Sequence, residues 1–381
     1  MGSQKKIVLS FNWALTIGGV AQYNVLLKDV SNYKPIQMHY ICILSDKWHT
    51  DQSSLDKINA TVIKIRSRLD FSWLSKSAAA IRELSPDLII THGYNAHLII
   101  WLMRHIYSIK IPAVMSYHGL YHPTSTLRYL AAPIFNGFTQ YYARRYANQI
   151  VAVAFYCKKY LITRKVPSSK IEAIHNGIPD IDPPLEAGIQ IRRELGLTDK
   201  DTVIGIASRI DHVKGIRYLI EAMKPLSTKY PELKLVLVGT GILEAELRQH
   251  ATALGIDDRI IWAGFRTDIP ACLAAFDIFV LPSLAEYHSI ALLEAMRAQK
   301  TIVATDVGGN TESVRDRKEA LIIPPADADA IAEAVTQLME APELQSKLAI
   351  AARDRFTQNF LQSQMIQQTA HWLWNELKNE Q

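Results

Sequence analysis

The chain has 381 residues with 49% hydrophobic and 21% charged side chains, enough for two or three domains with their own cores and too apolar for a disordered protein. The net charge of +5 tolerates an anionic ligand or a membrane surface without requiring one. Cys42, Cys157 and Cys272 lie far apart with no CxxC pair, which excludes a disulfide framework and a zinc ribbon and fits a reducing compartment.

The first segment, KKIVLSFN (5–12), is a short β-branched run that reads as a buried strand. Gly18 and Gly19 follow, then VAQYNVLLKDV with helical spacing, making one strand–turn–helix unit. The apolar run after Lys5 and Lys6 is too short for a signal-peptide core. Nowhere does an uncharged apolar run reach the ~18 residues that suggest a membrane span. HYICILS (39–45) and TVIKIR (61–66) read as strands, and WLSKSAAAIRELS (73–85) as a helix. DLIITHG (87–93) and IPAVMSYHG (111–119) are strands that each end in a His-Gly pair; QIVAVA (149–154) and IEAIHNG (171–177) follow. Alternation at this spacing predicts a parallel sheet.

PDIDPPLEAG (179–188) carries three prolines in a polar stretch and is expected to link domains. The alternation then restarts: strands at 202–208, 233–241, 259–264, 276–283, 301–306 and 319–325, with helices between and after them. This predicts an α/β protein of two Rossmann-like domains, 1–182 and 183–361, with a last helix (362–381) packing back on the first. In open α/β sheets ligands bind beyond the carboxyl ends of the strands, so the residues just after each strand are the ones to search.

Arg209 and Lys214 follow the strand TVIGIA on one loop. Two cations there suit a diphosphate, whose departing charge they would stabilise; by spacing alone they read rather as two surface cations flanking a loop. In LPSLAEYHSIALLEAM (281–296) a buried strand ends at Pro282 and a helix begins near Ile290. Backbone amides of His288, Ser289 and Ile290 would face outward at the helix start, where an anion or sugar hydroxyls bind well. Glu286 in the turn could accept from sugar hydroxyls. Glu294, among Leu293, Ala295 and Met296, would need a partner, which a ribose diol would supply. The competing reading makes Glu286 a helix-terminal charge and Glu294 part of a solvated face.

E-x7-E after a strand, with RIDHVKG upstream, resembles the retaining family-4 glycosyltransferases of the GT-B fold. The supporting pieces run in order along nearly the whole chain: Gly18-Gly19, His118-Gly119, Asn176-Gly177-Ile178, Arg209 and Lys214, GTG (239–241), Gly264-Phe265-Arg266, Glu286 with Glu294, and ATDVGGNTE (304–312). The resemblance implies two Rossmann-like domains with parallel sheets facing a central cleft. It further implies that Arg209 and Lys214 bind the donor diphosphate, with Gly18, Gly19 and Gly239 letting backbone approach it. His118 would contact the transferring sugar, Glu286 would fix that sugar, and Glu294 the ribose. Phe265 and Arg266 would flank the base, and Tyr287, His288, Ser289 and Ile290 would offer amides. The chain departs from the family at Tyr287-His288-Ser289, where small residues and a Phe are usual, and at Ser208, where Gly is common. Ala298-Gln299-Lys300-Thr301 replaces a small-Gly-x-Pro stretch.

The chemistry implied is hexosyl transfer (EC 2.4) with retention, from a UDP- or GDP-sugar, without a metal or other cofactor. The departing phosphate oxygen would take the acceptor's proton. DxD triplets at Asp180, Asp199 and Asp327 lie in a linker, a turn and a helix start, not at the end of a buried strand. His92, His97, His118 and His122 lack metal-ligand spacing. GTGILE has only two of the glycines of a dinucleotide fingerprint. A nucleotide-sugar 2-epimerase or a non-catalytic nucleotide-sugar binder on the same fold is the alternative function.

From 127 to 165, Arg128, Arg144, Arg145, Lys158, Lys159, Arg164 and Lys165 interleave with aromatic side chains. Such a surface can rest on anionic lipid headgroups, and equally reads as a helix with a solvated basic face and a core-facing aromatic stripe. It lacks the organised motif of a nucleic-acid binder. By resemblance the acceptor is a sugar or lipid-linked hydroxyl in surface polysaccharide, lipopolysaccharide or glycolipid assembly. The expected location is cytoplasmic, peripheral on the inner face of the membrane. Loops at Tyr94, Asn95 and His122 would set the acceptor.

Overall fold

A computed structural model describes residues 5–13, 19–45, 55–66, 70–120, 126–181 and 185–379. The chain divides into two compact units, Met1–Asn176 with Gln362–Gln381, and Gly177–Leu361. Among the described residues the first unit holds β1 (Lys6–Trp13), β2 (Ile36–Ser45), β3 (Ala60–Ile65), β4 (Leu88–His92), β5 (Ala113–Tyr117), β6 (Gln149–Ala152) and β7 (Ile171–Ala173). They form one sheet in the order β3-β2-β1-β4-β5-β6-β7, every pair parallel. The second unit holds β8 (Thr202–Ala207), β9 (Leu233–Val238), β10 (Ile260–Gly264), β11 (Ile278–Leu281), β12 (Thr301–Thr305) and β13 (Leu321–Ile323). Its order is β10-β9-β8-β11-β12-β13, again parallel throughout.

These strands are continuous Val/Ile/Leu runs because helices cover both faces of each sheet. IFVL of β11 and TIVAT of β12 are buried at every position. The second core is one large apolar cluster; the first unit carries two, one on each side of its sheet. The helix Gln362–Asn379 belongs to the first of those two, burying Met365, Ile366, Ala370, Leu373 and Leu377. Chain order reverses between β1 and β4 in one sheet and between β8 and β11 in the other. In doubly wound sheets such a reversal leaves a crevice at the strands' carboxyl ends.

The proline-rich stretch is in part anchored to the second unit. The amide of Ile178 donates to the carbonyl of Phe360 at 3.1 Å. Arg297 donates to the carbonyl of Pro179, and Arg353 pairs with Asp180. A helix starts already at Leu185.

Candidate active site

The loops leaving β8, β9 and β11 are stitched to one another. Ser208 N donates to Val238 O (2.9 Å), Ile210 N to Thr240 O (3.0 Å), and Leu284 N to Val213 O (2.7 Å). Gly215 has φ +62, and a Cβ there would lie 2.1 Å from the carbonyl oxygen of Pro282. Only glycine lets the β8 loop close on the β11 loop this way. Gly239 donates to Gly264 O at 2.7 Å, tying in the loop after β10.

This stitching brings Lys214 and Glu286 together. Lys214 Nζ is 2.6 Å from Glu286 Oε1, and the two side chains are only 15% and 10% exposed. Ser283 Oγ donates to the same oxygen at 2.8 Å. The other cation of the β8 loop, Arg209, is 61% exposed and pairs with Asp211 at 3.0 Å.

Ser289 caps the helix Ile290–Arg297, its hydroxyl accepting from Leu292 N at 3.4 Å. The His288 side chain turns inward, buried, with Nε2 3.3 Å from Ser313 Oγ and its ring against Phe360. Its backbone, not its imidazole, is therefore what this turn can present. Glu294, a turn into the helix, is part-buried. Burial pushes its carboxyl up to about 7, with Arg297 acting weakly the other way.

Beyond β10, Phe265 is 55% exposed. Arg266 forks onto Asp268 at 2.6 Å and Glu194 at 3.1 Å, and the hydrogen bond to Asp268 raises its pKa further. Its guanidinium is committed to carboxylates, so this position can meet a base through Phe265 and the backbone.

In the first unit, His118 Nε2 is 2.9 Å from Ser116 Oγ and 3.4 Å from His92 Nδ1, with Tyr23 edge-on at 4.9 Å. Desolvation pushes His118 down to about 4 and His97 to about 3, so both are neutral near pH 7. His97 stacks on Tyr142 at 5.0 Å. Among the described residues no group of three His, Cys, Asp or Glu is arranged to hold a metal. Gly19 opens the helix Gly19–Leu26; Gly18 and His122 lie outside the described residues. Tyr94 and Asn95 are not loop residues: they sit in the first turn of the helix Gly93–Ile106, where Tyr94 stacks on Phe135.

The acidic triplets are structural at the residues described. Asp180 pairs with Arg353, Asp201 accepts from Thr198, and Asp327 caps Ala330 N at 2.9 Å. Sequence reasoning passed over Ser283, Asp211 and Gly308. Ser283 lies three residues before Glu286, a spacing too common to signal anything without the turn that folds it back.

Two parallel doubly wound units define the GT-B class of fold. A model of the family "Glycosyl transferases group 1" matches residues 189–355, and one of "Glycosyltransferase Family 4" matches residues 42–180, so each half of the chain is similar to a glycosyltransferase family. The alpha-D-kanosaminyltransferase of Streptomyces kanamyceticus is 26% identical over 259 residues, 65% of this chain and 66% of that one. The UDP-Gal:alpha-D-GlcNAc-diphosphoundecaprenol alpha-1,3-galactosyltransferase of Escherichia coli is 30% identical over 181 residues, 46% of each chain. The match thus spans less than two thirds of either relative. Among solved structures, Anabaena HepE in complex with UDP-glucose has a TM-score of 0.83 at 21% identity, over 97% of this chain and 99% of that one.

Proposed function

We propose that this chain is a glycosyltransferase that moves a sugar, with retention, from a nucleoside-diphosphate sugar to a hydroxyl acceptor in surface-polysaccharide or glycolipid assembly. The observation that carries it is the Lys214–Glu286 contact of 2.6 Å between the loops after β8 and β11, the strands where chain order reverses. A cation beside a carboxylate can hold two parts of one donor. The ammonium takes the diphosphate, and the carboxylate takes hydroxyls of the sugar. Arg209 adds charge for the diphosphate, Glu294 accepts from the ribose, and Phe265 lies along the base with Arg266 behind it. Gly239 and the amides of Tyr287 to Ile290 complete the donor contacts. For the first unit we propose Gly18 and Gly19 as a close backbone approach to phosphate and His118, neutral, as a contact to the sugar.

In the reaction the bond from the anomeric carbon to phosphate breaks and one to the acceptor oxygen forms. The acceptor's proton passes to the departing diphosphate, whose charge Lys214 and Arg209 neutralise without calling on a metal. The names of the kanosaminyl- and galactosyltransferase relatives and the UDP-glucose held by HepE support this reading. The galactosyltransferase's name includes a lipid-diphosphate-linked sugar, which supports a lipid-linked acceptor here and a working place on the inner face of the cell membrane. No described helix is long and apolar enough to cross a membrane.

A thermal-shift screen against UDP-, GDP- and ADP-sugars identifies the donor, since a ligand bound only by the folded state raises its stability. Slow hydrolysis of that donor marks a transferase, whereas an epimerised nucleotide sugar marks the 2-epimerase. Lys214→Ala and Glu286→Ala are expected to fold and to lose about ten- to a hundredfold or more in turnover, the scale of a charge-assisted contact. Wild-type kinetics in both variants would falsify the site.

A further inference from the structure

Glu286 is held by more than Lys214. Its Oε1 accepts from both Lys214 Nζ (2.6 Å) and Ser283 Oγ (2.8 Å), while Oε2 takes no hydrogen bond among the described residues. Ser283 is itself pinned: Thr305 Oγ1 donates to its carbonyl at 2.6 Å, and Asn310 Nδ2 donates to the carbonyl of Thr305 at 3.1 Å. Ser283, Thr305 and Asn310 are all buried, so no water competes for these bonds. From the other side Gly308, at φ +56, lies so close that a Cβ would come within 1.6 Å of the Glu286 carbonyl oxygen. The end of β12 thus holds the backbone of Ser283, and the loop after it packs closely against the backbone of Glu286.

The two donors to Oε1 differ in what else they can do. Lys214 sits on a flexible four-carbon stem, and an arriving diphosphate competes for its ammonium. Ser283, just beyond β11, is fully buried, accepts from Thr305 at its carbonyl, and carries no charge for a diphosphate to draw away. We propose that Ser283 is a positioning residue, relayed from Asn310 and Thr305, that keeps Glu286 in place when Lys214 turns to phosphate. Oε2 is then left facing the sugar hydroxyls. This deepens the donor-site reading above and rests on it.

The test compares ligands with and without the sugar. Calorimetry on the full chain with UDP against UDP-glucose, and GDP against GDP-mannose, separates diphosphate binding from sugar binding. In Ser283→Ala, affinity for the free diphosphate should stay within about twofold, which also reports that the variant folds. Affinity for the nucleotide sugar should fall about tenfold, the size of one hydrogen bond to a charged group, and donor hydrolysis should slow at saturating donor. In a Glu286→Ala background, where no acceptor is left for Ser283, the same substitution should change nothing further, because the two residues act as one unit. Equal losses for diphosphate and nucleotide sugar, no loss at all, or a loss that persists in Glu286→Ala would each overturn the positioning role. A wild-type chain that binds neither pair overturns the donor-site reading itself, a different result from these.

Discussion

Burial disfavours the charged form of the Glu294 carboxyl and pushes its pKa up to about 7. The ionised form can accept from both hydroxyls of a ribose diol, whereas protonation turns one of its oxygens into a donor, so the donor and a proton compete. Affinity for UDP-glucose, whose own diphosphate does not titrate near neutrality, is expected to weaken as pH falls below about 7, by up to about tenfold per pH unit. The same shift makes the folded chain less stable as pH rises from about 4.5 to about 7, since the unfolded carboxyl ionises first. Calorimetric titration between about pH 5.5 and 8 checks this; a flat profile, or one unchanged in Glu294→Gln, rejects the assignment. At this scale the charged residues were legible in the sequence: Arg209, Lys214, Glu286 and Glu294 stand after strands at spacings that carry the resemblance. Their partners were not. The Lys214–Glu286 pair joins positions 72 apart, and the Arg266 fork onto Asp268 and Glu194 joins residues from different elements.

At the scale of elements, the helices Thr126–Arg145 and Phe155–Thr163 divide their aromatic residues between core and surface. Tyr142 is buried against His97, and Phe138 meets Trp101 edge-on. Ile134, Tyr141, Phe155, Tyr156 and Ile162 are exposed, Ile134 at 71%. Arg144 donates to the carbonyl of Arg164, tying the ends of the two helices together. From Leu88 to Ile171 the chain has no Asp or Glu at all, so nothing in this stretch offsets Arg144, Arg145, Lys159, Arg164 and Lys165. The buried aromatic residues fit the core-facing stripe, and the exposed part combines apolar and basic groups, the pattern on which the membrane proposal rests. The whole chain is expected to co-sediment with phosphatidylglycerol vesicles at low salt and to be released at high salt. Replacing Lys159, Arg164 and Lys165 by Glu should abolish it. Failure to bind at low salt ends the membrane proposal.

At the scale of the molecule, the last helix returns to the first unit. Its buried residues Met365, Ile366, Leu373 and Leu377 fill a core built from β1, β2 and β4 side chains, and Gln362 donates to Asp29 at 2.9 Å. Each such side chain contributes roughly 1.5–3 kcal/mol by burial, against a typical domain stability of ~5–15 kcal/mol. Deleting residues 362–381 is therefore expected to unfold the first unit and leave the second. Calorimetry would show one thermal transition lost; an unchanged melting profile would contradict the assignment.

The sequence by itself determined that the protein is α/β, that its strands are buried on both faces, and which charged residues stand at strand ends, because periodicity and burial are written in local runs. The tertiary structure alone decided the strand order. That order sets the β8 loop beside the β11 loop, puts Lys214 on Glu286, and backs Glu286 with Ser283 and Gly308. Parallel pairing joins strands tens of residues apart through backbone groups common to every residue, so no local pattern announces which strands become neighbours.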